Sequence, residues 1–431
     1  MKLGEVCEIV MGQSPKGDTY NHIENGYPLL NGPTEFGAQH PNCTLWTTSP
    51  KKMCQTGDLI FCVRGSTTGR MNWADQPYCL GRGVGAFRAK TGKQSDNRFI
   101  FYQITMRLKS LLAQSNGSVF PNLNISDFYN FEIDWPNSEN RLTITSLLGA
   151  LDDKIENNRQ LNETLEVMAR AIFKSWFVDF EPVHAKAAGN TPAHMDTKTA
   201  ALFPSSFDDD GLPKGWKESK FEDLIEFKNG YAFKSKELSK DVKTNFAILK
   251  MGHIKVGGGL NENYKTDYLI SEASPKMEKY ILETGDILMS MTDMKDNVRL
   301  LGHTALFYKQ NVNFLVNQRV GLIKAKKEIA NYPYIYCLTN NKTFLYEIRK
   351  RANSGVQVNL STDGIKTTPT IIPPLSLMVK FGSLTHPIFE SIFNSSKENQ
   401  TLASLRDTLL AKLMSGEIHV KEADREVEAA V

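Results

Sequence analysis

Apolar positions along the chain follow two alternating patterns. Short apolar runs bounded by Gly, Pro and Asn, such as 58–63 and 286–290, read as strands. Longer stretches place apolar residues every three or four positions, the period of a helix with one buried stripe. One such stripe holds Leu147, Leu151, Ile155, Leu165, Met168, Ile172 and Trp176, and another holds Ile388, Ile392, Leu402, Leu405, Leu409 and Leu413. Polar residues interrupt both: Asn158 and Asn162 in the first, Ser395 and Asn399 in the second. So narrow a stripe predicts helix against helix, with the polar positions fixing register. Asn137 or Ser138, just after Pro136, predicts the first helix start, and Gly416 the second helix end. Each helix should run about 30–40 residues, or roughly 45–60 Å. Pro387 falls where the first helix has Ala150 and predicts a kink or restart in the second.

The two patterns occur twice. Residues 116–124 resemble 353–361, with Asn122 falling on Asn359 at an offset of 237. At that offset Pro136 falls on Pro373, 162–165 on 399–402, and Met168, Ile172 and Trp176 on Leu405, Leu409 and Leu413. Upstream the offset shrinks: 56–60 matches 284–288 at 228, and 3–12 matches 221–230 at 218. Several matches in one order mark a duplication whose loops have changed length. Helical stretches near 97–112 and 332–351 make each globular part mixed α and β. The expected plan is a domain over 1–136, a helix over 137–180, a linker over 181–213, a second domain over 214–374, a helix over 375–418 and a tail over 419–431. The linker is read from its small, polar and turn-forming residues.

Composition narrows the class. Apolar residues at 41% and charged residues at 23% suit a globular chain with real cores. No apolar run is long enough to span a bilayer, and the start lacks a signal peptide, so a cytoplasmic location is the default. The net charge of +3 hides an uneven distribution. Residues 1–138 hold 13 Lys/Arg against 11 Asp/Glu, and 214–372 hold 25 against 17. Residues 139–213 reverse this with 7 against 12, as do 373–431 with 6 against 8. Positive charge therefore sits on the globular parts, as docking on a polyanion would require. The six cysteines form no C-x-x-C pair and stand at no zinc spacing from the histidines, so neither disulfides nor a metal is expected.

Catalytic signatures are missing where they would be needed. Gly12 and Gly17 have P-loop spacing, but Asp18 follows where a lysine would hold phosphate. Gly81, Gly83 and Gly85 read as strand and turn rather than as a dinucleotide fingerprint, because no acidic residue lies at the required distance. Pro373-Pro374 lies between Ile372 and Leu375, not in the Asn/Asp-Pro-Pro-aromatic motif of an amino-group methyltransferase. No nucleophile–base arrangement carries a local signature. The chain reads as a binder.

Residues 150–180 closely resemble the central helical region of specificity (S) subunits of Type I restriction-modification enzymes, and 402–418 resemble that family's second helical region. The resemblance covers essentially the whole chain, duplication included. It implies an α+β architecture of two tandem target-recognition domains, each a mixed α/β unit, separated by two long helices packed as an antiparallel coiled coil with pseudo-two-fold symmetry. Each domain would read one half of a split double-stranded DNA target. The helices would set the half-site spacing and dock two modification (methyltransferase) subunits, with restriction subunits joining the complex. S-adenosylmethionine, ATP and Mg would belong to those partners, and this chain would hold no cofactor or metal and catalyse nothing. Base reading needs Arg, Lys, Asn or Gln at groove edges. The candidates are Arg64, Ser66, Thr67, Thr68 and Arg70 after the first shared strand, with Arg82 on a later glycine turn. In the second copy they are Thr292, Lys295, Asn297 and Arg299, with Gln318 and Arg319 further on. The rival expectations are a self-sufficient DNA-modifying enzyme and a helical protein-interaction scaffold.

Overall fold

A computed structural model describes residues 1–113, 121–261, 264–294, 298–354, 357–418 and Ala423. Lys295, Asn297, the motif at 116–120 and the rest of the tail lie outside the described residues. The chain forms two units, one of Met1–Arg159 with Glu398–Val431 and one of Gln160–Lys397.

The first unit holds a four-stranded antiparallel sheet in the order Cys7–Met11, Val84–Ala89, Leu59–Cys62, Met71–Trp73. Leu59–Cys62 is apolar throughout and Val84–Ala89 nearly so, Arg88 excepted, because both faces are covered. Leu59, Phe61 and Phe87 face a core with Ile100, Ile104 and Phe128. Ile60, Cys62, Val84 and Ala86 face Leu30, Tyr78 and Leu80. A second sheet runs Tyr20–Asn21, Trp46–Thr47, Tyr27–Leu30, Cys79–Leu80, its last pair parallel.

The second unit repeats this plan. Its larger sheet runs Ile225–Asn229, Val320–Ala325, Ile287–Ser290, Thr304–Leu306, and its smaller one Leu238–Ser239, Asp267–Leu269, Phe246–Leu249, Asn313–Val316, again ending in a parallel pair. The central pairing Phe61↔Gly85 recurs as Met289↔Gly321. The helix Gln94–Ala113 of the first unit is split in the second into Tyr332–Thr339 and Lys342–Arg349. Asn341 makes the break by capping the second piece, its side chain accepting from the Thr343 N–H at 2.9 Å.

The repeated Thr-Gly-Asp has a structural cause. Gly57 and Gly285 turn at φ of +85° and +94°, which L side chains rarely adopt. The aspartate then closes the turn, accepting from the Gln55 N–H at 2.8 Å and the Glu283 N–H at 2.9 Å. Asp58 also takes a bidentate pair of bonds from Arg88, both at 2.7 Å. Asp286 pairs with Lys324 at 3.2 Å.

The two long helices are Ser138–Phe177 and Leu375–Ser415. Asn137 caps the first, accepting from the Asn140 N–H at 2.9 Å. Gly416 ends the second with φ +73°, a left-handed residue just past the helix. In the first unit Asp152 meets Arg406 at 2.8 Å and Asn158 donates to Asn399 at 2.9 Å, so numbers rise on one helix as they fall on the other. In the second unit Asn162 donates to Ser396 at 3.1 Å in the same antiparallel sense. The polar interruptions therefore pair with one another across the seam. Apolar packing flanks them: Leu151 with Leu402, Leu409 and Leu413 in one unit, and Phe173, Trp176 and Phe177 around Phe381 in the other. Ile155, Ile172, Ile388, Ile392 and Leu405 pack at the edges.

Three features differ from the sequence pattern. Met168 is 49% exposed, whereas the neighbouring Ala169 is fully buried and Leu165 half-buried. The second helix runs through Pro387 without restarting. Proline there removes one backbone donor, and Phe381 and Phe389 on either side are held in the core. Residues 181–213 carry two short helices, Glu181–Ala187 and Thr197–Ala201, and bury Val183, Ala200 and Phe203. Polar turn residues surround a few apolar anchors there, so composition alone suggests a bare connector.

Candidate nucleic-acid interface

At one end of each larger sheet, five backbone hydrogen bonds gather separate loops. In the first unit Gly12 donates to Val84 (2.9 Å), Gln13 to Leu80 (2.8 Å), Gly81 to Leu30 (2.7 Å), Val63 to Gly83 (2.9 Å) and Leu123 to Val63 (3.0 Å). In the second unit Gly230 donates to Val320 (3.1 Å), Tyr231 to Val316 (2.8 Å), Asn317 to Leu249 (3.0 Å), Met291 to Arg319 (3.1 Å) and Leu360 to Met291 (2.9 Å). The framework is the same, so residues correspond one to one. Arg64 corresponds to Thr292, Arg82 to Gln318, Gly83 to Arg319, and Asn122 to Asn359. The glycines serve close packing rather than phosphate binding: a Cβ on Gly12 would stand 2.1 Å from the Gly81 carbonyl oxygen, and one on Gly83 2.2 Å from that of Asn31.

The candidates separate into those the framework presents and those it uses for itself. Arg64, Ser66, Arg70 and Arg82 are exposed on the gathered loops. The Arg70 guanidinium lies over Phe36, 6.0 Å from the ring centre. Thr67 is half-buried, and Thr68 is spent on the loop itself, its hydroxyl 2.8 Å from the Gly65 oxygen and 2.9 Å from that of Pro121. Thr292 is buried in the short strand Thr292–Met294, paired with Asn359, and is not presented. Arg299, Gln318 and Arg319 are exposed. Gln318 and Arg319 line a cleft of about 450 Å³ with Lys250, Tyr264 and Leu300.

Sequence reasoning missed Gln13, Asn122, Asn359 and Tyr264. Asn122 and Asn359 stand in the repeated segments, so the duplication pointed to them, and Gln13 directly follows one. Nothing local in the sequence brings Tyr264 to the cleft.

Ion pairing sorts the arginines. Arg88, Arg98, Arg141 and Arg406 each hold a carboxylate at 2.7–2.8 Å. Burial opposes ionisation of Asp96, but hydrogen bonds from Arg141 and Thr91 hold it below the usual carboxylate range. Such arginines are neutralised and add little attraction for phosphate. Arg64, Arg82, Arg299 and Arg319 have no ion pair among the described residues. Lys250 is matched by Asp267. His253 stacks edge-on to Tyr264 at 4.8 Å, and burial pushes its pKa down to about 4, so it contributes no charge near neutrality.

Among the described residues no three His, Cys, Asp or Glu side chains gather as metal ligands, and no helix is long and apolar enough to cross a membrane. Burial pushes the Cys7, Cys43 and Cys54 thiols up to about 12, so none is a thiolate at neutral pH. What the two loop clusters offer is exposed guanidinium and amide groups on a fixed backbone. That is the chemistry of hydrogen bonding to phosphates and base edges.

Comparison with known proteins agrees. The family model of the Type I restriction modification DNA specificity domain matches residues 1–167 and again 213–382. The chain is 26% identical over 380 residues to the Type I restriction enzyme MjaIX specificity subunit of Methanocaldococcus jannaschii, covering 85% of this chain and 78% of that protein. It is 26% identical over 421 residues to the HindI specificity subunit of Haemophilus influenzae, covering 85% and 88%. The crystal structure of the S subunit from M. genitalium shares the fold with a TM-score of 0.52 at 18% identity, covering 96% of this chain and 95% of that one.

Proposed function

The chain belongs to the family of Type I restriction modification DNA specificity domains and carries two of them in tandem, and from that premise we propose that each domain reads one half of a split double-stranded DNA target. The observation that carries this reading is the shared five-bond framework with unlike exposed side chains on it. A common scaffold keeps the mode of docking, and different side chains give different half-sites. The relatives are named as specificity subunits of restriction enzymes, which supports a role as the recognition subunit of a larger complex in the cytoplasm.

The long helices then serve two ends. Their length sets the gap between half-sites, and their exposed apolar residues dock two modification subunits, with restriction subunits completing the complex. Leu161, Val167, Met168, Val379 and Leu384 are all exposed on these helices, apolar surface that a protein partner would cover. S-adenosylmethionine, ATP and Mg reside on those partners, and this chain contributes recognition without catalysis.

The test is selection from random duplexes by the full chain, alone and with its modification subunits. A split motif is expected, with affinity falling steeply as salt rises. Absence of any sequence preference in both arms would leave a protein scaffold instead. Methyl transfer by the purified chain alone would point to a self-sufficient enzyme.

A further inference from the structure

We infer that Arg82 and Gln318 occupy one and the same base-reading position in the two domains, and that Arg82 selects a guanine while Gln318 selects an adenine. The inference rests on the DNA-reading function proposed above and names what each reader recognises. Each residue sits at the centre of a three-residue turn. The turn is pinned on one side by Gly81 to Leu30 or Asn317 to Leu249, and on the other by Val63 to Gly83 or Met291 to Arg319. The backbone amide of the residue is itself held, by the Ser14 hydroxyl at 3.2 Å for Arg82 and by the Tyr231 carbonyl at 2.9 Å for Gln318. Its Cα is therefore fixed. Its side chain is exposed and has no hydrogen bond or ion pair among the described residues. A fixed root with an uncommitted polar head is what base reading requires, because register must be set before a hydrogen bond can discriminate.

The chemistry of the heads assigns the bases. A guanidinium presents two parallel N–H donors, which match the O6 and N7 acceptors of guanine. A carboxamide presents one donor and one acceptor, which match N7 and N6–H₂ of adenine. The next position separates the two domains further. Gly83 has no room for a side chain, whereas Arg319 extends one into the cleft beside Gln318.

The test is random-duplex selection by the complete complex of full chain and modification subunits, read by sequencing. The wild type should select a split motif holding a guanine read by Arg82 and an adenine read by Gln318. Arg82→Gln should turn that guanine towards adenine in one half only, and Gln318→Arg should do the converse in the other half. Each preference should move roughly tenfold to hundredfold. Arg82→Ala and Gln318→Ala should erase the preference at the same single positions, with melting temperatures unchanged because both side chains are exposed. An unaltered motif in these variants overturns the assignment. So does a uniform loss of affinity across all sequences, which would mark a phosphate contact. A wild-type complex that selects no split motif overturns the underlying function instead.

Discussion

At the scale of single residues, Asp58 and Asp286 show how one short motif can be structural. Each closes a turn, and each is buried against a cation. The pairs are not equal. Asp58 is held by both forks of Arg88, whereas Asp286 faces a Lys324 side chain that is 40% exposed. Removing one partner of a buried pair strands the other, at a cost of about 3–5 kcal/mol. Asp58→Ala should approach the lower end of that cost in equilibrium denaturation, because Glu8 at 3.2 Å still pairs with Arg88. Asp286→Ala should cost less, because water can reach the freed ammonium. Equal losses in the two variants would show that turn closure, not the ion pair, carries the energy.

At the scale of elements, the helices were legible and their exact faces were not. A period of three to four residues gave both long helices, and the polar interruptions gave their register. The stripe nonetheless drifted, because Met168 and Ala169 are adjacent and the larger residue looks more buried in sequence. The structure buries Ala169 completely, in one apolar cluster with Phe173, Tyr336 and Phe389. Ala169→Leu should overpack that cluster and destabilise the protein by about 1–3 kcal/mol. Met168→Ala should stay within about 0.5 kcal/mol, as other exposed positions do. A stability scan reversing that order would place Met168, not Ala169, in the buried stripe. Strands were legible for a related reason: those covered on both faces read as unbroken apolar runs. The candidate interface was only half legible. Exposed arginines could be named from the glycine-rich loops, but Thr68 and Thr292 are used internally, through contacts with Pro121 and Asn359 that lie far away in sequence. Tyr264 reaches its cleft through the tertiary fold alone.

At the scale of the whole molecule, the duplication and the helices constrain each other. Each long helix contributes to both units: 138–159 belong with the first domain and 160–177 with the second, while 375–397 and 398–415 divide the other way. A matched insertion of four residues, after Arg159 in one helix and after Lys397 in the other, adds about 6 Å to each at 1.5 Å per residue. Placing it at these points keeps the Asn158–Asn399 pair within one unit and the Asn162–Ser396 pair within the other. Duplex DNA advances 3.4 Å per base pair, so the insertion corresponds to roughly two base pairs. The expected outcome in random-duplex selection is a longer gap between two unchanged half-sites. If the half-sites change while the gap stays fixed, the helices do not set the spacing, and the distance between readers must come from the partner subunits.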